Sequence, residues 1–339
     1  MSGEHQTVGS PAAASEPDPN ALLSVQGLRI TVPGGAAAVE DVSFEVRPGE
    51  TVGVVGESGC GKTLTMLSVM RLLPPNTRIA GGSILLGGED VVQMPEKRLR
   101  QLRGSRIAMI YQDPMTSLNP LMRIGDQISE GLRAHGWSRA KARDKAIEVL
   151  GEVGIPKPQR AARAFPHEFS GGMRQRAVIA CALVLDPELL IADEPTTALD
   201  PTIQQQVIDL VVRLQRDRGM AVVWVTHDLG IVARLVKRML VMYAGRVAEA
   251  GPTREVFRRP SHPYTDGLLG ALPSPGAERR ELVQMPGAPP QPGRHPAGCP
   301  FRPRCPHAVE RCATELPPLL ERGRAQQAAC WVAPEDWSP

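Results

Sequence analysis

From Leu22 onward the apolar positions follow two different rhythms. Period-2 or continuous β-branched runs predict strands at Leu23 to Val32 and at Val39 to Val46, where Val42, Phe44 and Val46 alternate, with Pro33-Gly34-Gly35 as the turn between them. Short buried strands are expected at Thr51 to Val55, Ser83 to Leu86, Ile107 to Tyr111, Leu189 to Ala192 and Ala221 to Val225, and two more at Met239 to Tyr243 and Arg246 to Ala250. Helical spacing replaces this pattern at Leu64 to Met70. It returns between about 120 and 165, where Ile124, Ile128, Leu132, Ala146, Val149, Leu150 and Val153 form apolar stripes. A helix beginning near Gly172 should turn Ala177, Val178, Ala180, Cys181 and Val184 inward, and another should span Ile203 to Leu214. Strands alternating with helices predict a parallel α/β sheet, with an antiparallel ribbon from 22 to 46 and an all-helical insert.

The two ends behave differently. Residues 1–20, rich in Ser, Pro, Ala, Glu and Asp, have little to bury and read as a disordered tail. After Leu272 the composition turns to Pro, Gly and Arg, with Pro286, Pro289, Pro290, Pro292 and Pro296 close together, so a segment too short and proline-rich to build its own core is expected there. The expected division is therefore 1–20 tail, 21–271 main domain with a helical subdomain at about 120–170, and 272–339 extension. No repeat of fixed period is evident.

With 339 residues and 42% hydrophobic content the chain can bury one large core or two ordinary ones. A formal charge of +3, with no basic stripe interleaved with aromatics, gives no reason to invoke nucleic acid. No stretch approaches the roughly 18 apolar residues of a membrane span, and the N-terminus lacks a basic-then-apolar leader. A cytoplasmic protein is expected, linked to a membrane only through partners.

The chemistry starts at Gly56-Glu57-Ser58-Gly59-Cys60-Gly61-Lys62-Thr63, which fits Gly-x4-Gly-Lys-[Ser/Thr] between an expected strand and an expected helix. Glycines let the backbone curl so that its amides face phosphate oxygens, and the following helix presents its positive end to the same anion. Lys62 is expected to neutralise β- and γ-phosphates and Thr63 to ligate Mg²⁺. Chance glycine turns of this form are rare, and the flanking elements make them rarer. Further on, Leu189 to Ala192 deliver Asp193 and Glu194 at a strand's carboxyl end, where open α/β sheets bind ligands. Asp193 suits Mg²⁺ through its water shell, and Glu194 suits a general base on the attacking water. A solvated strand end is the bland alternative, weakened by the phosphate loop upstream.

Phe169-Ser170-Gly171-Gly172-Met173-Arg174-Gln175-Arg176 resembles the signature motif of ATP-binding cassette (ABC) ATPases. Gln112 resembles that family's Q-loop glutamine, Ala198-Leu199-Asp200 its D-loop, and His227 in Val225-Thr226-His227-Asp228 its switch histidine. The resemblance implies an α/β P-loop NTPase cassette: a RecA-like parallel sheet core, an antiparallel β ribbon and an α-helical subdomain. It also implies that Ser170, Gly171 and Gly172 clamp the γ-phosphate held by a second cassette, that His227 and Gln112 sense γ-phosphate, Mg²⁺ and water, and that Asp200 crosses the dimer interface. Asp200 before Pro201 also reads simply as a helix N-cap. Two departures stand out: Gly-Met where Gly-Gln is common, and Val32 where many members stack an aromatic on adenine.

Tyr111-Gln112-Asp113-Pro114-Met115-Thr116-Ser117-Leu118-Asn119-Pro120, His262-Pro263-Tyr264-Thr265 and the C-terminal extension are similar to the ATP-binding subunits of oligopeptide, dipeptide and nickel importers. That branch implies ATP and Mg²⁺ as cofactors. Its implied partners are a second, related ATPase subunit, two membrane permeases that dock by coupling helices on the helical insert and Gln112 region, and an extracytoplasmic substrate-binding protein. The place of work is the cytoplasmic face of the membrane. Import of small peptides is the leading expectation; a nickel or other small-solute importer, and a soluble ABC ATPase acting on ribosomes or DNA, are the alternatives.

Cys299, Cys305, Cys312 and Cys330 are separated by five, six and seventeen residues, which does not suit a zinc finger. An iron–sulfur cluster, a zinc site completed by His295 or His307, and plain thiols are the options; the family resemblance implies a [4Fe-4S] cluster. Cys60 and Cys181 read as structural.

Overall fold

The computed structural model describes residues 18–111, 117–197, 200–272 and 285–337. The first ribbon forms as expected: β1 (Leu23–Thr31) and β2 (Ala37–Val46) pair antiparallel, Val25 facing Phe44. β3 (Thr51–Val55) leads into α1 (Lys62–Val69). β4 (Arg78–Leu86) is longer than the apolar run Ser83 to Leu86 suggested, because it continues along β1 past a bulge. Gly82 faces that bulge, formed by Gly27 and Leu28 of β1, at φ +85°, where a Cβ would sit 2.5 Å from the carbonyl oxygens of Gln26 and Gly27. β5 (Glu89–Asp90) completes a four-stranded sheet in the order β2-β1-β4-β5.

α2 (Glu96–Leu102) and β6 (Ile107–Ile110) come next. They are followed by the helical insert of α3 (Ile124–Ala134), α4 (Arg139–Glu152) and α5 (Pro158–Ala161). Its stripes meet: Ile124, Ile128, Leu132, Ala146, Val149, Leu150 and Val153 are all buried in one core. α6 (Gly171–Leu183), β7 (Leu189–Asp193), α7 (Pro201–Arg218), β8 (Ala221–Thr226) and α8 (Leu229–Leu235) then alternate. β9 (Arg238–Tyr243) and β10 (Arg246–Pro252) form a hairpin, and α9 (Thr253–Arg258) and α10 (Pro263–Gly270) close the domain.

The main sheet runs β11-β12-β10-β9-β3-β8-β7-β6, where β11 (Leu320–Glu321) and β12 (Gln327–Ala328) come from the C-terminal extension. β9, β3, β8, β7 and β6 are mutually parallel, and the other pairings are antiparallel. Each central strand is buried on both faces, as parallel strands covered by helices or a second sheet must be. Val223 and Val225 of β8 belong to the core shared with the ribbon and α1, while Val222 and Trp224 belong to the core shared with the helices. Alternation of side chains along one strand thus joins two cores.

The extension is held in place by the main domain. It builds no core of its own, yet Cys299, Phe301 and Cys312 enter the helix-side core of the main domain, beside Tyr243 and Tyr264. Phe301 is 2% exposed, and its ring packs 5.2 Å from that of Tyr243 and 5.5 Å from that of Tyr264. A proline-rich segment can stay ordered by lending a few large side chains to a neighbouring core.

Candidate functional site

Parallel pairing decides what meets what. β3 pairs with β8 with Val55 opposite Thr226, and β8 pairs with β7 with Val225 opposite Asp193. The residues just after each strand, Gly56, His227 and Glu194, therefore emerge side by side at the carboxyl edge, where open α/β sheets bind ligands.

The loop after β3 needs its glycines at two places in particular. Gly56 has φ +151°, and a Cβ there would lie 2.2 Å from the Met242 carbonyl oxygen and 2.8 Å from Cys60 Sγ. Gly61 has φ +102°, a left-handed N-cap that starts α1 directly after the loop. The loop is tied to its surroundings by the Gly245 amide, which donates to the Cys60 carbonyl at 3.0 Å. Lys62 is buried, with Nζ donating to the carbonyl oxygens of Gly56 at 2.7 Å and Glu57 at 3.0 Å, so its ammonium lies inside the curl of the loop. Burial raises the Cys60 thiol above its ordinary range, consistent with a packing role, and burial pushes Cys181 up to about 12.

Asp193 ends β7 at 1% exposure. Burial raises its carboxyl above the usual range, while a hydrogen bond from Thr63 pulls the other way. Its Oδ1 is buried and has no hydrogen-bond partner in the protein. An orphaned carboxylate oxygen beside a hydroxyl is the donor set a hard cation such as Mg²⁺ takes. The residues present thus fit the ion.

Glu194 has φ +46°, a left-handed conformation unusual for glutamate. Its amide donates to the Val225 carbonyl at 2.9 Å, fixing the backbone against β8. One carboxylate oxygen lies 3.3 Å from His227 Nδ1, and the other accepts from Thr197 Oγ1 at 3.0 Å. Backbone strain maintained by flanking hydrogen bonds is a feature of functional positions.

Ser170 caps α6, accepting from the Met173 amide at 3.3 Å, and Gly171 has open space in front of its Cα. Gly172 meets Ile203 of α7, where a Cβ would approach to 2.9 Å. Ser170, Gly171 and Gly172 therefore sit on a different element from the phosphate loop. Asp200 caps α7, accepting from Thr202 and Ile203 amides at 3.1 and 3.0 Å. Gln112, Ala198 and Leu199 lie outside the described residues. Val32 occupies the turn between β1 and β2, bonded to Ala36 and Gly35.

The four C-terminal cysteines are free thiols near enough for their charges to act on one another, and burial pushes Cys299 and Cys305 up to about 11 and raises Cys330. Among the described residues no group of three or more His, Cys, Asp or Glu side chains is arranged to hold a metal ion, so neither the expected [4Fe-4S] cluster on these four cysteines nor the zinc option has geometric support. His295 is half-buried beside Glu40 and Arg246, and His307 stacks on Trp337.

Sequence reasoning missed three contributors. Gln175, fully buried in α6, donates to the Pro195 carbonyl at 2.5 Å and so links the signature helix to the loop after β7. Tyr264 was visible only as part of a motif; its hydroxyl accepts from the Glu57 amide of the phosphate loop at 2.9 Å. Arg304 reaches the same Glu57 from the extension across 247 residues, a contact that no local pattern signals.

This is the architecture of an ATP-binding cassette ATPase. The ABC transporter family matches residues 39–197, and the C-terminal region of oligopeptide/dipeptide transporters matches residues 248–312. The chain is 48% identical to the oligopeptide transport ATP-binding protein OppD of Salmonella typhimurium, over 96% of this chain and 98% of that one. It is 46% identical to the dipeptide transport ATP-binding protein DppD of Bacillus subtilis, over 92% and 94% respectively. Among solved structures, a dimeric post-hydrolysis state of the ATP-binding cassette MJ0796 bound to ADP and Pi superposes with a TM-score of 0.61 at 25% identity, covering 68% of this chain and 99% of that one. The chain belongs to the peptide-transport branch of the ABC ATP-binding proteins.

Proposed function

We propose that the chain is the ATP-hydrolysing subunit of an importer for small peptides. The observation that carries this is the convergence of the phosphate loop, the Asp193-Glu194 pair and His227 at the carboxyl ends of three adjacent parallel strands. Likeness to peptide-transport relatives through the C-terminal region favours peptides over nickel or other solutes.

In this reading the amides of Gly56 to Thr63 and the Lys62 ammonium hold the β- and γ-phosphates. Thr63, Asp193 and Gln112 would hold Mg²⁺, and the ion would supply charge stabilisation to the phosphate oxygens. Glu194, oriented by Thr197 and its strained backbone, takes a proton from the attacking water. His227, 3.3 Å from that carboxylate, donates to the γ-phosphate. Ser170, Gly171 and Gly172 present a capped helix N-terminus and an open surface to the nucleotide of a second cassette, and Asp200 faces that cassette. Hydrolysis then needs two ATPase subunits, head to tail. They sit on two permeases at the cytoplasmic face of the membrane, fed by an extracytoplasmic binding protein. Among the described residues no helix is long and apolar enough to cross a membrane.

The division into a tail at 1–20, a cassette at 21–271 and an extension at 272–339 belongs to the same reading. So does a [4Fe-4S] cluster on Cys299, Cys305, Cys312 and Cys330, which rests on the family resemblance and on four free thiols, not on a metal-holding arrangement of side chains. Such a cluster supplies a cross-link and a positive core for thiolates that burial otherwise disfavours. Equal iron and acid-labile sulfide in anaerobically purified protein, lost in Cys312→Ser, supports it; protein without either contradicts it.

Co-expression with its permeases tests the main proposal. Co-purification with membrane permeases and ATP turnover that depends on the assembly are expected. Full turnover by an isolated monomer, or no permease association, contradicts it.

A further inference from the structure

A carboxylate in a phosphate-binding loop is an electrostatic liability, because the ligand carries several negative charges. Glu57 is such a residue, and the protein answers it from the far end of the chain. Arg304 holds Glu57 in a two-pronged pair, Nη1 to Oε2 at 2.7 Å and Nη2 to Oε1 at 2.9 Å. The guanidinium is 5% exposed and the carboxylate 26%, so the pair is poorly screened. The hydrogen bonds to Glu57 raise the Arg304 guanidinium further above its ordinary value.

Arg304 is itself fixed on every side. Nε donates to the Pro286 carbonyl at 2.9 Å and Nη1 also to the Tyr243 hydroxyl at 3.4 Å. The guanidinium lies 5.7 Å from the Tyr243 ring centre and 5.9 Å from that of Phe301. The Glu57 backbone is gripped separately, its amide donating to Tyr264 Oη at 2.9 Å. Tyr243, Tyr264 and Phe301 are packed ring against ring, so side chain and backbone of Glu57 are anchored to one rigid cluster. Arg304 lies in the turn that carries Cys299 and Cys305.

We propose that Arg304 is a positioning residue for ATP binding: it neutralises Glu57 and holds the phosphate loop in the form that accepts nucleotide. The proposal rests on the reading of residues 56–63 as the ATP site. It places the C-terminal extension in the ATPase machinery, since the loop keeps its shape and charge only while the turn at 299–305 stays docked. It also accounts for a glutamate at this position: the carboxylate is the extension's point of purchase on the loop.

The test uses the full importer complex, with KM for ATP and kcat measured for wild type, Arg304→Ala, Arg304→Lys and Arg304→Ala/Glu57→Gln, and a melting temperature for each. Saturable wild-type ATP turnover must be present first; its absence would speak against the ATP-site reading rather than against Arg304. Arg304→Ala should raise KM for ATP about tenfold or more, the factor that corresponds to loss of one charge-assisted contact, with kcat changed less than threefold. Arg304→Lys, which keeps the charge and one hydrogen bond, should raise KM less. Adding Glu57→Gln to Arg304→Ala should bring KM back toward wild type, because the unpaired negative charge is then gone. A KM within twofold of wild type in Arg304→Ala, or a rise that Glu57→Gln fails to reverse, overturns the proposal. If Arg304→Ala does not fold, the Arg304→Lys complex decides by the same split of KM against kcat.

Discussion

Replacing Phe301 with alanine asks whether the C-terminal extension is part of the cassette's core or merely tethered to it. The ring is 2% exposed and packs against Tyr243, Tyr264 and His262 at centroid distances of 5.2, 5.5 and 5.7 Å. Phe→Ala at a buried site costs about 3–5 kcal/mol, from lost transfer energy and the cavity left behind. Loss of three ring contacts places Phe301→Ala toward the upper half of that range, about 4 kcal/mol. With a urea m-value of about 3 kcal/mol/M the midpoint falls by roughly 1.3 M. Far-ultraviolet circular dichroism and tryptophan fluorescence on the purified chain read the transition, with Phe301→Leu as the control expected to cost about 1.5 kcal/mol or less. A fall below about 0.3 M in Phe301→Ala, or protease release of the extension with the main transition unchanged, would refute the view that this residue belongs to the shared core.

Gly56→Ala should weaken ATP binding at least about tenfold, because its Cβ would lie 2.2 Å from the Met242 carbonyl and the loop must move; an unchanged Kd in a fluorescent-nucleotide titration contradicts this. The pair Glu249 and His262 sets a pH response. Burial pushes the Glu249 carboxyl up to about 7, so its contribution is present below its ordinary 4.5 and lost as pH rises through 7. Burial pushes His262 down to about 4, so its contribution is present above 6.5 and lost as pH falls through 4. The two offset one another between those ordinary values, and Glu249→Gln should therefore expose a rise in stability from pH 4.5 to 6.5 on the order of 3 kcal/mol. Equal pH slopes of the urea midpoint in variant and wild type would contradict it.

Much of this was legible in the chain. β-branched runs, Gly-x4-Gly-Lys-Thr, Asp193-Glu194 and the segment at Ser170 are local patterns with local physical reasons, and each lies on the expected type of element. What was not legible depends on distant partners. β11 and β12 are two residues each and exist because β10 offers an edge to pair with. The first half of β4, Arg78 to Gly82, is glycine-rich and not buried, and is held by its register with β1. Arg304 looked like one arginine among many in a proline-rich tail; its meaning comes from Glu57 and from the aromatic cluster that buries it. The extension reads as too short and proline-rich to build its own core, and it builds none; that Phe301 enters the core of the main domain depends on Tyr243 and Tyr264, far away in the chain.

The central claim is that ATP is hydrolysed at the edge formed by β3, β7 and β8, with Glu194 as base. Glu194→Gln keeps the side chain's size and its capacity to accept from Thr197, while removing the proton acceptor. Single-turnover hydrolysis by the assembled importer, measured beside nucleotide binding, is the direct test. ATP affinity within a few-fold of wild type and turnover reduced about 10²–10⁴-fold are expected; near-normal turnover in Glu194→Gln would contradict the account.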